Sequence, residues 1–265
     1  MPLNLVTLYA RSFAEEACFS ALADLHQVLQ RTPQARVIGG MMVTLHTHRW
    51  QLPDQVERLT LDNDLGVASR VIVEGSILED LARAGYTETS GGRYQRAVTT
   101  LSADEGQPQP TAIIDVLVPT YTSRARKNIK VGKIYTTEVL GLAEALQEGG
   151  VSVAVSLRGK SGWTSDIAVT IPSEPFALLL KAMAWNERML DKDAFDIWRM
   201  LEVCSAADAK MNPTVWQDAE KILQQAFARE DGQAMVGVQK IARATPTRRK
   251  QLWTRIRALL KNITP

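Results

Sequence analysis

The 265-residue chain contains no run of about 18 consecutive apolar residues, so no membrane-spanning helix is expected. Cysteine is scarce. Cys18 and Cys204 stand far apart and form no C-x-x-C pair, which excludes a disulfide framework or a zinc knuckle and fits two reduced, buried thiols in a cytoplasmic protein. An excess of one charge is missing as well: 31 basic and 29 acidic residues leave a net +2, so attraction to nucleic acid must come from local patches. The opening stretch MPLNLVTLYARSFAEE has no positive region followed by a sustained apolar run, and no secretory signal is expected. Repeats and low-complexity tracts are absent. With 45% hydrophobic and 23% charged residues, global disorder is excluded, and the length suits one large domain or two modest ones.

The pattern along the chain is mixed. Ser12 with Glu15 gives a capping box, and Ala14, Cys18, Leu22, Leu25 and Leu29 continue at helical spacing up to Thr32-Pro33. Val37-Ile38 reads as a short strand, followed by Gly39-Gly40 and a helical stretch from Met41. The next dozen residues, with Pro53, read as a loop. Residues 59–67 alternate, with Leu61, Asn63 and Leu65 on one face and Thr60, Asp62 and Asp64 on the other. A helix is expected over 68–83, then a polar turn with Gly91-Gly92, a strand over 95–101, and a loop at DEGQPQP (104–110). Residues 111–118 (TAIIDVLV) form a β-branched run that predicts an interior strand carrying one carboxylate, Asp115. A short helix over 140–147 and strands over 151–157 and 167–171 follow. From Ser173 onward the chain reads as helices, at 174–190, 192–206 and 214–229 and in the basic stretch 232–262. The expected class is therefore α+β: a mixed sheet flanked by helices over residues 1–171, then a helical bundle over 172–265.

The acids carry the chemistry. Asp62 and Asp64, two apart on one strand, project from the same face about 6.6 Å apart along the backbone. Carboxylates so close repel unless a cation lies between them, and Mg²⁺ suits such oxygen ligands. Asp115 on a neighbouring strand would complete a site for two metals about 3.5–4 Å apart, as used in nucleotidyl displacement. Asp-x-Asp pairs also occur in solvated turns. Asp115, however, has little reason to sit inside IIDVLV as a packing residue, because a buried carboxylate costs several kcal/mol unless paired. Gly39-Gly40, before a helix, either offers bare backbone N–H groups to a phosphate or simply makes a tight turn. His46 and His48 are two apart on a helix with no further ligand nearby, and no metal role is expected of them.

Taken in order, VIGGMMVTLHTHRW, ERLTLDNDLGV and AIIDVLV resemble the nucleotidyltransferase fold. Arg58-x-Thr60-x-Asp62-x-Asp64 is similar to the Arg-x-Ser/Thr-x-Asp-x-Asp motif of the AbiEii/MenT group of bacterial toxin–antitoxin nucleotidyltransferases. The stretch PSEPFALLLKAMAWNERMLDKDAFDIWRML resembles that group's lysine helix, with Lys181 and Arg188, followed by a Lys-Asp-x-x-Asp sequence at Lys192, Asp193 and Asp196. The resemblance runs from about residue 36 to 202. It implies transfer of a nucleoside monophosphate from an NTP to an acceptor, with pyrophosphate leaving. Asp62, Asp64 and Asp115 would hold Mg²⁺, with Asp115 also activating the attacking hydroxyl. Gly39 and Gly40 would cradle phosphates, Thr60 would add a hydroxyl contact, Lys181 would neutralise the triphosphate, and Arg188, Asp193 and Asp196 would complete the nucleotide site. A partner antitoxin is implied too. The chain departs from the group in a longer spacing from Gly40 to Asp62, in Asn63 where an apolar residue is usual, and in Met41 after the glycine pair. The first points to an insertion around 50–56, the second to weaker burial of the strand's other face, and the third to an altered phosphate loop.

Taken without the resemblance, Lys181 and Arg188 share a helix face, as do Asp193 and Asp196, the latter also fitting as helix-starting acids with a Lys192–Asp196 pair. Two basic patches complete the reading. Arg124, Arg126, Lys127, Lys130 and Lys133 crowd one loop with no acid among them. Residues 232–265 hold Lys240, Arg243, Arg248, Arg249, Lys250, Arg255, Arg257 and Lys261 and no Asp or Glu, with Leu252, Ile256, Leu259 and Leu260 to pack and Trp253 beside them. Such a run is usually a solvated face, yet it also makes a phosphate-backbone footprint, which predicts an RNA acceptor such as tRNA. A small-molecule acceptor such as an antibiotic, a protein acceptor, and a non-catalytic module that kept the fold are the competing readings.

Overall fold

The computed structural model describes residues 1–52, 58–99, 109–211 and 213–263. The predicted loop at Pro53 and most of DEGQPQP lie outside these residues.

A mixed sheet organises the site. β2 (Arg36–Ile38) runs antiparallel to β3 (Asn63–Gly66), which lies parallel to β6 (Thr111–Pro119). Along the other side of β6, β5 (Arg93–Ala97) pairs antiparallel with its first half and β8 (Ile134–Val139) parallel with its last residues, with β4 (Thr87–Ser90) outside β5 and β7 (Ile129–Val131) outside β8. β6 is therefore the central strand. Ala112, Ile114, Val116 and Val118 are buried on one face, and Asp115 and Leu117 point to the other, where a cleft opens. The predicted interior strand is thus covered fully on one side only.

The helix α1 (Phe13–Arg31) packs on the closed face of β6. Ser12 caps it, accepting from the Glu15 amide at 3.1 Å, while the Glu15 carboxylate accepts from the Arg11 amide rather than from Ser12. Asn63, expected to weaken burial, is fully buried here: its amide nitrogen donates to the Cys18 carbonyl at 2.9 Å. The polar residue thus ties β3 to α1. The strand is shorter than its alternation suggested, because Leu59 and Leu61 are 48% and 39% exposed and Asp62 lies one residue before β3.

A second sheet joins β1 (Leu5–Tyr9) in parallel to β9 (Val151–Arg158), which forms a hairpin with β10 (Thr164–Ile171). β1, β4, β7 and β8 are strands that periodicity did not predict. The expected helix over 68–83 is divided into α3 (Ser69–Glu74) and α4 (Ser76–Arg83) by Gly75 at φ +85°. α5 (Leu142–Gln147) follows β8. The helical part begins with α6 (Glu174–Arg188) and α7 (Asp191–Ala206), both packed on α2 (Gly39–Arg49), and continues with α8 (Pro213–Ala226), α9 (Gln233–Ala242) and α10 (Pro246–Ile263). One continuous hydrophobic cluster runs through both halves, from Val6 to Ile263.

The β4–β5 hairpin turns on Gly91 and Gly92, both at positive φ, a two-residue turn whose twist matches the strands. Gly92 sits where β5 hands over to β8, its carbonyl accepting from the Val116 amide at 2.8 Å. A Cβ there would stand 2.8 Å from the Val116 oxygen, whereas at Gly91 the nearest atom is 4.0 Å away. Gly92→Ala is therefore expected to cost about 2–3 kcal/mol and Gly91→Ala about 1 kcal/mol, read as thermal midpoints of the two variants. Equal costs would show that the close approach to β6 does not matter.

Candidate active site: a carboxylate floor facing fixed cations

Parallel pairing of β3 with β6 sets Asp64 opposite Asp115, so the two carboxylates are neighbours on the cleft face. Asp62, just before β3, does not line the cleft but lies near enough to repel Asp64. The start of α2 closes in from above: a Cβ at Gly39, which holds φ +70°, would overlap the Asp64 carboxylate. The glycine is there because an acid is. Gly40 is hemmed in similarly, a Cβ there lying 2.5 Å from the Arg58 guanidinium and 2.8 Å from the Thr60 hydroxyl. Met41, the departure after the glycine pair, is buried in the core.

Burial first, then repulsion from Asp62 and Asp115, pushes the Asp64 carboxyl up to about 6, against the opposing pull of Lys181 and Arg188. Among the described residues no side chain makes an ion pair with Asp64, and both of those cations act from beyond contact distance. Lys181, buried on α6, binds Asp196 at 2.8 Å, and Asp196 also takes Arg58 through two contacts of 3.1 Å. Arg188, at the end of α6, grips fully buried Asp193 at 2.6 and 2.8 Å. Asp193 and Asp196 share a face as predicted, but the Lys192–Asp196 pair is not what forms; their partners are the cations that the cleft needs. Burial keeps both acids from lining the cleft, so they position Lys181 and Arg188 rather than touch a ligand there.

Arg93 was not foreseen. Its register opposite Asp115 lets its guanidinium clasp that carboxylate at 2.8 and 2.7 Å and reach within 3.7 Å of Asp62. The signal lies in strand pairing, not in local sequence. Arg58 was quoted in the motif without a role; the structure gives it one, tying the segment before β3 to α7. Asp64, Asp115, Arg93, Lys181 and Arg188 line one cleft of about 830 Å³, with Arg124 and Lys127 at its side. Thr60 lies elsewhere, in a small cavity of about 60 Å³ behind Gly40, where its buried hydroxyl has no hydrogen-bond partner.

The fit to a divalent cation is partial. Asp64 offers a hard oxygen ligand with no ion-pair partner among the described residues, but Arg93 already engages Asp115 and lies 3.7 Å from Asp62. Among the described residues no three His, Cys, Asp or Glu side chains gather into a ready metal cage. His46 is fully buried, with Nε2 2.9 Å from the Pro172 carbonyl, and burial lowers its pKa.

The basic patches are less bare than the sequence suggested. Arg126 pairs with Glu138 at 2.6 Å, so β8 supplies the acid that the loop lacks. Lys130 is exposed on β7. In the C-terminal segment, Arg255 binds Glu202 at 2.8 Å, Lys240 binds Asp191 at 2.8 Å, and Arg249 lies 3.6 Å from Glu230. Trp253 donates to the Phe227 carbonyl at 3.0 Å. Its ring therefore helps to pack α10 instead of standing free to stack on bases. Arg248 and Lys250 remain on the exposed side. Neither a scan of protein-family models nor a search of curated proteins finds a match to this chain.

Asp64 has a measurable signature. Its carboxyl is raised above the unfolded value, so its charge costs stability at neutral pH, and the cost fades as pH falls from about 6 to 4. Asp64→Asn should raise stability by about 1–2 kcal/mol at pH 7.5 in EDTA and by much less at pH 4, read as thermal midpoints. A constant difference across that range would exclude the crowded-carboxylate account.

Proposed function

We propose that the protein is an Mg²⁺-dependent nucleotidyltransferase that moves a nucleoside monophosphate from an NTP to an RNA acceptor such as tRNA, or to a protein. The supporting observation is the placement of Asp64: crowded by two acids, paired with none of the described cations, set against the glycine start of α2, and faced by two cations held in place by their own acids. Mg²⁺ held by Asp62 and Asp64, and by Asp115 once Arg93 has released it, would supply the charge neutralisation that a triphosphate needs.

The chain's residues divide the remaining work. Lys181 and Arg188 balance the negative charge of the triphosphate from the α6 wall, and Asp196 and Asp193 keep them aimed. The amides at the start of α2 offer donors to phosphate oxygens. The acceptor's hydroxyl oxygen forms the new bond to the α-phosphorus, the bond to pyrophosphate breaks, and Asp115 takes the hydroxyl proton once Arg93 has released it. Arg124 and Lys127 beside the cleft, with Arg248 and Lys250 on α10, provide contacts for an RNA backbone. A toxin-like role in the cytoplasm with a partner antitoxin is part of this reading, and among the described residues no helix is long and apolar enough to cross a membrane.

One observation favours a second reading. Asp115 already has its counter-charge in Arg93, as a non-catalytic module of the same fold would allow. Incubation with each α-labelled NTP, Mg²⁺, total tRNA and cell extract separates the two. An enzyme labels a discrete RNA or protein band, Asp64→Ala abolishes the label while the fold persists, and Lys181→Met reduces it by about 100-fold or more. A labelled small molecule in place of a macromolecule would indicate an antibiotic-type acceptor. If no NTP yields a labelled product, the proposal fails.

A further inference from the structure

We infer that Arg93 is a resident counter-cation of the carboxylate floor, which yields its carboxylates to a divalent metal and then grips the phosphates of the nucleotide. This deepens the reading above and rests on it. Three cations act on Asp64 from nearby, and they are not equivalent. Lys181 and Arg188 are pinned by Asp196 and Asp193, acids that do not line the cleft, and so keep their places whatever the cleft contains. Arg93 is bound instead to Asp115 and leans toward Asp62, two of the carboxylates proposed to hold metal. A divalent ion and this guanidinium compete for the same oxygens.

The environment lets the exchange happen. Arg93 is 41% exposed and Asp115 18% exposed, so the pair is partly solvent-screened and costs less to separate than a buried one. The side chain springs from the first residue of β5, immediately after the Gly91-Gly92 turn, and lines the cleft. Released from Asp115, its planar fork faces the space in which a triphosphate would lie, and phosphate oxygens accept the same two-point grip that the carboxylate had.

Two opposite effects follow from one substitution. Arg93→Ala should bind Mn²⁺ about five- to tenfold more tightly in the absence of nucleotide, because the competitor is gone. At saturating Mn²⁺ it should bind a non-hydrolysable NTP analogue about tenfold more weakly, because a phosphate ligand is lost. Arg93→Lys, which keeps charge but not the fork, should fall between on both measures and guards against misfolding of the alanine variant. Calorimetric titration of wild type and both variants reads these constants without any turnover. Unchanged or weakened Mn²⁺ binding in Arg93→Ala overturns the inference, as does unchanged or tighter nucleotide binding. If wild type and every variant bind no Mn²⁺ at all, the metal-dependent function itself is what fails.

Discussion

Repulsion between carboxylates that strand register forces together is the constraint on which the site depends. Parallel pairing of β3 with β6 sets Asp64 beside Asp115, and no side-chain rotation takes either off the cleft face. Burial sharpens the conflict and leaves Asp64 pushed up to about 6. Such an arrangement persists only when the surroundings supply positive charge. Here it comes from three side chains: Arg93 across the β5–β6 ladder, and Lys181 and Arg188 from α6. Glycine at position 39 follows from the same constraint, since the space a side chain would use is taken by the Asp64 carboxylate.

Much of this was legible in the sequence, and the reasons differ element by element. β6 announced itself because a β-branched run of that length has few other fates, and Asp115 was conspicuous because no packing reason explains a lone acid within it. α1, α6 and α7 were recognisable from sustained helical spacing. β4 and β7 were not: TETS is wholly exposed and IKV is three residues long, so neither carries a burial pattern to detect. β8 does alternate, and that signal in IYTTEV was there to be read.

The residues misjudged share one feature: their partners lie far away in sequence. Arg93 becomes part of the site only through a hairpin turn that sets its register against Asp115. Asn63 looked like a weak point in its strand because the Cys18 carbonyl that receives its amide hydrogen is invisible from position 63. The C-terminal cations looked uncompensated because Glu202, Asp191 and Glu230, which pair with three of them, precede the segment. Charge counted within a window says little about charge in space. The RNA footprint is accordingly narrower than the eight cations suggested, since three of them have acids of their own.

The helical part is bound into the site rather than appended to it. The turn at Met189-Leu190 sends α7 back alongside α6, and this brings Asp193 and Asp196 against Arg188 and Lys181. Asp196 then reaches past α6 to Arg58, so a single buried carboxylate joins the cation wall to the segment that carries Asp62 and Asp64. Any movement of α7 must therefore be felt at both the negative floor and the positive wall. Buried ion pairs of this kind stabilise little in net terms, since desolvation offsets attraction. What they provide is orientation: a lysine that could sample many rotamers is held in one, and two walls of opposite sign are kept at a fixed separation. A cleft that must hold a highly charged ligand needs that separation more than it needs additional stability.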